Sequence, residues 1–419
     1  MNLTENTSPK STLLGKRILG QFAWVTGSRF IGAVFQALAL VVLARNIEPK
    51  SFGILVAIWG AAIVMQTIAD LGVSTFIVKE RALNPGSSLL PYALGLVSLS
   101  GAGVMILSAV ALLFANQVTN DSEYLQLLPL AVWCAAEKNT EAWLGIPLAD
   151  GRARVNAVNQ VFRRTMALVL FIVLVALDSF PALFAFAISY AVAAIGALCL
   201  AWYQSAKNAG VNFGFEAFRT VLVSSRSYWA NSIGAQLRNL DAIVVTSIGG
   251  PSVGGFYGAA SRLTGPLGMV SSALATVLMP AVASRQFGRI THTLRMLWIS
   301  IAGFAVLYTG LAWTLPPLVP TLLGSEYVEA EWPVRIALMG LIFASAASLM
   351  SAVLQGWNRQ RIVAAVSITC TILCLALCAI GAIVAGAVGA SWGLAASFGI
   401  QVSILGYFVG RTQRILQER

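Results

Sequence analysis

Charge is what this 419-residue chain has least of. Asp, Glu, Lys and Arg together make 10% of it and apolar residues 58%, whereas an ordinary soluble domain is roughly one quarter charged. That excludes a water-soluble globule and places the chain in lipid. Histidine occurs once, at His292, beside Arg289 and Arg295 and away from any Cys or acidic residue at ligand spacing, which excludes a metal role for it. The Gly-x4-Gly-Lys-Ser/Thr phosphate loop is missing, so the chain does not hydrolyse ATP by that route. The Gly-rich segment from Gly249 to Gly258 reads instead as a flexible helix start. All five cysteines fall inside apolar runs, which excludes a disulfide framework. Cys370, Cys374 and Cys378 share one helix face among Ile, Leu, Ala and Thr, a packing surface rather than a metal ladder, and Cys134 and Cys199 read as equally structural. No cofactor is expected.

What remains is a succession of apolar runs long enough to cross a bilayer. They fall at about 21–44, 52–71, 88–114, 125–148, 159–177, 181–203, 223–248, 255–280, 296–323, 333–354, 362–386 and 388–410. The expected fold class is therefore all-α and integral to the membrane, with about twelve transmembrane helices. Basic residues alternate between the connections, as they do when Lys and Arg are retained in the cytoplasm. One side takes Lys10, Lys16, Arg17, Lys79, Arg81, Arg152, Arg154, Arg163, Arg164, Lys207, Arg219, Arg226, Arg285, Arg289, Arg295, Arg359, Arg361, Arg411, Arg414 and Arg419. The other takes only Arg45, Lys50 and Arg335, with acidic loops around Asp121, Asp178 and Glu329. Both termini are thus expected in the cytoplasm, and the net charge of +11 is a topology signal rather than a nucleic-acid footprint. The first run carries Arg29, is long for a signal-peptide core and lacks a small-residue cleavage site, so it is expected to be retained.

The chain also repeats itself. Leu43-Ala44-Arg45-Asn46-Ile47-Glu48-Pro49-Lys50-Ser51-Phe52-Gly53 has a counterpart in Thr246-Ser247-Ile248-Gly249-Gly250-Pro251-Ser252-Val253-Gly254-Gly255-Phe256-Tyr257, with the Pro-to-Gly spacing kept. Pro251 lies 202 residues after Pro49, close to half the chain. A weaker echo links Leu148-Ala149-Asp150-Gly151-Arg152 to Leu354-Gln355-Gly356-Trp357-Asn358-Arg359. Two six-helix bundles follow, 1–205 and 206–419. An interface between pseudo-equivalent halves that can open to either side is how a transporter is built.

Ionisable residues away from helix ends cost roughly 2.5 to 3.5 kcal/mol each on insertion scales if they face lipid, so a chain that keeps several has a wet interior. Arg29 and Gln36 share a face of the first span; Asp70 lies in the second; Glu137, Lys138 and Glu141 in the fourth; Asn231, Arg238 and Asp241 in the seventh; Arg262 in the eighth. Lys138 with Glu141, and Arg238 with Asp241, are spaced to neutralise one another within a helix. Arg29 and Arg262 have no acidic neighbour on their own helices. Together with Arg238, Gln36 and Asn231 they form a candidate cationic substrate site suited to phosphate or pyrophosphate. Glu137, Lys138, Glu141, Asp70 and Asp241 form a candidate ion-coupling set.

At these residues the chain resembles a known family. Leu43 to Gly53 followed by Ala69-Asp70-Leu71-Gly72-Val73, and Leu240-Asp241 followed by Val253 to Leu263 and Leu278-Met279-Pro280, are similar to Wzx-type polysaccharide flippases of the multidrug/oligosaccharidyl-lipid/polysaccharide exporter superfamily. The resemblance implies a non-enzymatic, alternating-access exporter with two bundles around a central cavity. Its cargo would be an undecaprenyl-pyrophosphate-linked oligosaccharide for surface polysaccharide, such as O-antigen or exopolysaccharide. Polymerase and chain-length proteins would be its neighbours. A cation-coupled multidrug exporter of the same superfamily would favour acidic cavities. A lipid II flippase would carry a further C-terminal helix pair, and a glycan polymerase or ligase a large periplasmic loop.

The charge asymmetry makes a direct prediction. Cys introduced at Asp121 or Glu329 reacts with an impermeant thiol reagent in intact spheroplasts, and Cys at Arg154 or Arg289 does not; labelling at position 154 from outside overturns the orientation.

Overall fold

The computed structural model describes residues 9–205, 210–283 and 290–417, and within them the chain is helical from end to end. The N-terminal half consists of α1 (Pro9–Ala44), α2 (Pro49–Asp70), α3 (Val73–Leu83), α4 (Leu89–Thr119), the single turn α5 (Glu123–Gln126), α6 (Pro129–Ala149), α7 (Ala153–Ala176) and α8 (Ala182–Ser205). The C-terminal half consists of α9 (Phe215–Gln236), α10 (Asp241–Gly249), α11 (Pro251–Ala283), α12 (Ile290–Thr314), the short α13 (Val319–Leu323), α14 (Glu331–Gly356) and α15 (Gln360–Gln417).

Eight described segments are long and apolar enough to cross a membrane. The last, Gln360–Ile415, is two crossings, because α15 folds back on itself at Ala385 and Gly386, where Gly386 takes a φ of 57°. Its two arms lie backbone to backbone: a Cβ on Gly381 would collide with the Gly389 carbonyl, one on Gly389 with that of Gly381, and one on Gly393 with that of Leu377. Gly389 and Gly393 stand one turn apart on the same face, and their hydrogen side chains let the arms approach. Three more crossings are less apolar. They are α6, which carries Glu137, Lys138 and Glu141; α9 with α10, interrupted by a 3-10 turn over Leu237–Leu240; and α11, which carries Arg262. These complete twelve crossings, six per half. In α6 the charged residues pair inside the protein, where burial relieves the cost of charge in lipid.

The repeated Pro-x3-Gly segments meet each other. A Cβ on Gly53 would collide with the Pro251 carbonyl, and one on Gly255 with the Pro49 carbonyl. The contact is reciprocal, as a two-fold relation between the halves requires. Tyr327, fully buried in the connection between α13 and α14, covers this junction: its ring stands edge-on to Phe52 at 6.0 Å and to Phe256 at 6.4 Å, and its hydroxyl donates to the Ile47 carbonyl at 3.3 Å. The basic residues that break the charge rule at this end are bound locally. Arg45 donates to the Thr321 carbonyl at 2.8 Å, and Lys50 pairs with Asp121 at 2.6 Å. That ammonium holds the Asp121 carboxyl below its usual range.

At the opposite end α2 breaks into α3 through Leu71 and Gly72, both with positive φ. A Cβ on Gly72 would strike the backbone of Ser225 and Trp229 in α9. The Trp229 indole donates to the Ile68 carbonyl at 2.8 Å, and the Lys79 ammonium to the Tyr228 hydroxyl at 2.8 Å. Midway, Gly60 lies directly against the Asn239 carbonyl. The seam between α2 and the α9–α10 crossing is therefore closed at both levels.

Replacing Gly53 or Gly255 by Val forces the two halves apart at a contact made of backbone atoms, which cannot yield as a side chain can. Loss of about 1 to 3 kcal/mol or more is expected, seen as a lowered unfolding temperature in detergent. The same substitution at Gly303 or Gly310, which have open space where a Cβ would point, leaves that temperature unchanged.

Candidate functional site

Two charge clusters lie inside the protein, one in each half. In the N-terminal bundle, Glu137 on α6 takes Arg163 at 3.1 Å and Arg164 at 3.2 Å, both from α7. The next residue, Lys138, pairs with Asp70 of α2 at 2.9 Å and with Glu141 at 3.3 Å. Asp70 is buried at the end of its helix and also accepts from the Ser74 hydroxyl at 2.5 Å. Arg163 donates to Gln160, and Arg164 lies over the Tyr190 ring at 5.9 Å. Glu141 differs from its neighbours in being 54% exposed. It lies within electrostatic reach of Lys138, Arg163 and Arg29, which come from three helices, so its exposure is to the space those helices enclose. Arg29 is exposed on α1, and Gln36 is half-buried two turns further along the same helix.

This arrangement corrects the sequence reading of α7. Arg163 and Arg164 were expected among the loop charges; instead they sit well inside the helix, Arg163 buried, as partners of Glu137. Their signal was present: four residues separate Arg163 from Asn159, which is buried and donates to the Ala197 carbonyl at 2.8 Å, so that face of α7 points inward. The two carboxylates of α6 have different partners. Glu137 is held by two guanidinium groups and Glu141 by an ammonium.

In the C-terminal bundle the 3-10 turn between α9 and α10 turns Arg238 and Asp241 in different directions. They form no ion pair with each other, contrary to the spacing argument, because that argument assumes an unbroken α-helix. Arg238 reaches α15, donating to the Gln401 side chain at 3.4 Å and lying over the Phe398 ring at 4.2 Å. Asp241 accepts from the Tyr257 hydroxyl at 2.7 Å and from the Ala242 amide at 2.7 Å. Arg262, one helix turn beyond Tyr257, is half-buried and within electrostatic reach of Asp241 without bonding to it. Gln401 and Phe398 were not singled out in the sequence, where they look like ordinary members of an apolar span. Cys374 and Cys378 pack behind Tyr257, sulfur to sulfur at 4.0 Å. Asn231 falls on α9 and His292 on α12, with side chains outside the described residues, as is Arg289.

The repeat offset puts Arg262 where the N-terminal half has Gly60. Gly60 closes its seam by backbone contact. Arg262 faces Ala37, Leu40 and Val41 of α1 across a void of about 10 Å³. The two pseudo-equivalent seams between the halves thus differ by a guanidinium group.

With this geometry in view, comparison with known proteins is decisive at the level of family: a family model described as polysaccharide biosynthesis protein matches residues 18–286. The chain belongs to the polysaccharide biosynthesis protein family. No curated protein matches it. Among solved structures it is similar to an inward-facing multidrug resistance MATE family transporter of the MOP superfamily, with a TM-score of 0.74 at 13% identity over 92% of this chain and 96% of that one. It is similar to the lipid II flippase MurJ in an inward closed conformation, with a TM-score of 0.73 at 12% identity over 91% and 86% of the two chains. An outward-facing MATE transporter gives 0.65 at 14% identity over 95% and 96%. These likenesses show the fold, twelve helices in two bundles.

Glu137 and Glu141 separate structural from exposed charge. Glu137→Gln leaves two buried guanidinium groups without a counter-charge, a loss of about 3 to 5 kcal/mol, and is expected to abolish folded protein in the membrane. Glu141→Gln leaves thermal stability within about 1 kcal/mol of the parent, measured by unfolding in detergent.

Proposed function

We propose that the protein flips an undecaprenyl-pyrophosphate-linked oligosaccharide from the cytoplasmic to the periplasmic leaflet of a bacterial inner membrane, for surface polysaccharide such as O-antigen or exopolysaccharide. The observation that carries this reading is the sign of the interior. Around Arg238, Asp241 and Arg262 two cations face one carboxylate; around Glu137 four cations (Arg29, Lys138, Arg163, Arg164) face three carboxylates (Asp70, Glu137, Glu141). A cavity with surplus positive charge on both walls suits an anionic pyrophosphate and opposes an organic cation, so it favours a lipid-linked cargo over multidrug export. Membership of a polysaccharide biosynthesis family supports the same choice.

In this reading the bundles 1–205 and 206–419 rock about the Pro49/Pro251 junction, with both termini in the cytoplasm. Arg29 and Arg262, unlike Arg163 and Arg164, have no ion-pair partner among the described residues, which leaves their donors for the headgroup; Arg238, Gln36 and Asn231 complete the site. Of the coupling set, Glu141 and Asp241 are the residues available to exchange a proton or cation. Glu137, Lys138 and Asp70 hold the bundle together around them. The released glycan would pass to polymerase and chain-length proteins.

The test separates binding from folding. Arg262→Ala abolishes glycan export at normal membrane abundance, Arg262→Lys retains part of it because the charge survives without the bidentate fork, and Arg29 behaves likewise. Full export by an abundant Arg29→Ala, Arg262→Ala double variant refutes the cationic-cavity mechanism.

A further inference from the structure

An apolar cavity lies away from these charges, on the outer face of the N-terminal bundle. It is a groove of about 840 Å³ between α1 and α7. Ala23, Trp24, Gly27, Ser28 and Ile31 form one wall, and α7 the other from Ala157 to Val169. Those α7 residues rise roughly 18 Å along the helix axis. Two helices in contact ordinarily interdigitate, and α1 and α7 do so just beyond the groove, where Gly32 packs on the side chains of Arg164 and Gln160. Along the groove they do not. Gly27 has nothing within 4 Å of the place a Cβ would take, and Val158, Phe162, Val169, Trp24 and Ile31 are left exposed.

The groove is open along the membrane and basic at one mouth. Arg154, in the first turn of α7, lies over the Trp24 ring at 5.6 Å and has no hydrogen-bond or ion-pair partner among the described residues. Its neighbour Arg152 is engaged with Asp150 at 3.6 Å. The N-terminus of α7, a 24-residue helix, adds its unpaired amides and positive dipole end at the same place. An apolar slot, a tryptophan at its rim and a guanidinium without a polar partner among the described residues beside a helix start are complementary to one kind of molecule. We infer that the α1–α7 groove is a binding site for an anionic phospholipid, one acyl chain lying in the slot and the phosphate held by Arg154. The lipid occupies the face of α1 opposite Arg29, so it completes the wall behind the proposed cargo site without entering it. The inference does not depend on what the cavity transports.

The purified full-length protein, reconstituted in nanodiscs with a phosphatidylglycerol carrying a photoactivatable group on its acyl chain, tests this. Crosslinks are expected on α1 and α7 peptides around Gly27 and Phe162. Unlabelled phosphatidylglycerol should compete about tenfold better than phosphatidylcholine of the same chains, the size of effect one charge-assisted hydrogen bond supplies. Gly27→Leu fills the slot and removes the crosslink. Arg154→Ala keeps the crosslink but erases the preference between headgroups. Equal competition by the two lipids against the parent protein, or an undiminished crosslink in a folded Gly27→Leu variant, overturns the proposal. So does preferential capture of a polyprenyl phosphate, which assigns the groove to the cargo's tail. If Gly27→Leu fails to accumulate, the headgroup preference and its loss in Arg154→Ala decide alone.

Discussion

The contact on which the rest of the molecule depends is the reciprocal seat of Pro49–Gly53 on Pro251–Gly255. Each glycine lies against the other half's proline carbonyl, so the halves touch through backbone with no side chain between them. Proline at a helix start costs nothing in hydrogen bonds, since that amide has no partner within the helix, and its carbonyl is left to face the neighbouring glycine. A contact of this kind has one geometry. It fixes α2 against α11, and through them the direction in which each bundle runs away from the junction. Tyr327 then covers it, with Phe52 and Phe256 on either side of its ring.

From that junction the two seams diverge. Along α2 the chain uses Gly60 and Gly72 to keep the halves in contact as far as α9. On the α1–α11 side the repeat substitutes Arg262 for Gly60, and the same backbone approach is impossible. Duplication supplies a symmetric frame; a single unlike residue at equivalent positions makes the frame directional. In the proposed transport cycle the asymmetry also places a guanidinium without an ion-pair partner among the described residues on the α1 side.

The interior charges divide by what holds them. Glu137, Arg163 and Arg164 are buried together, and removal of any one leaves an uncompensated charge in a medium of low dielectric constant. Glu141, Arg29, Arg238 and Arg262 are less enclosed. The first group makes the N-terminal bundle a rigid unit, and the second is placed to meet a cargo. Fold similarity to both a MATE transporter and MurJ leaves cargo to be decided by such side chains, because the fold is shared by transporters of unlike substrates.

Much of this was readable in the chain. Hydropathy located the crossings, including the pair inside α15, because the bilayer demands about twenty apolar residues per span whatever the packing. Offset identity at Pro49, Gly53, Pro251 and Gly255 revealed the duplication. Lys138 and Glu141 pair as their spacing requires, since α6 is unbroken there. Other features lay beyond it. Arg163 and Arg164 read as loop charges, because the sequence records distance from a helix end but not which helix lies opposite. Arg238 and Asp241 read as partners, because helical spacing holds only where the helix continues, and the turn at Leu237–Leu240 is imposed by packing against α2 and α15. That Gly60 closes one seam by backbone contact while Arg262 meets α1 through a side chain at the other is a fact about facing surfaces. A linear sequence determines which residues a helix presents; only the tertiary structure decides what they are presented to.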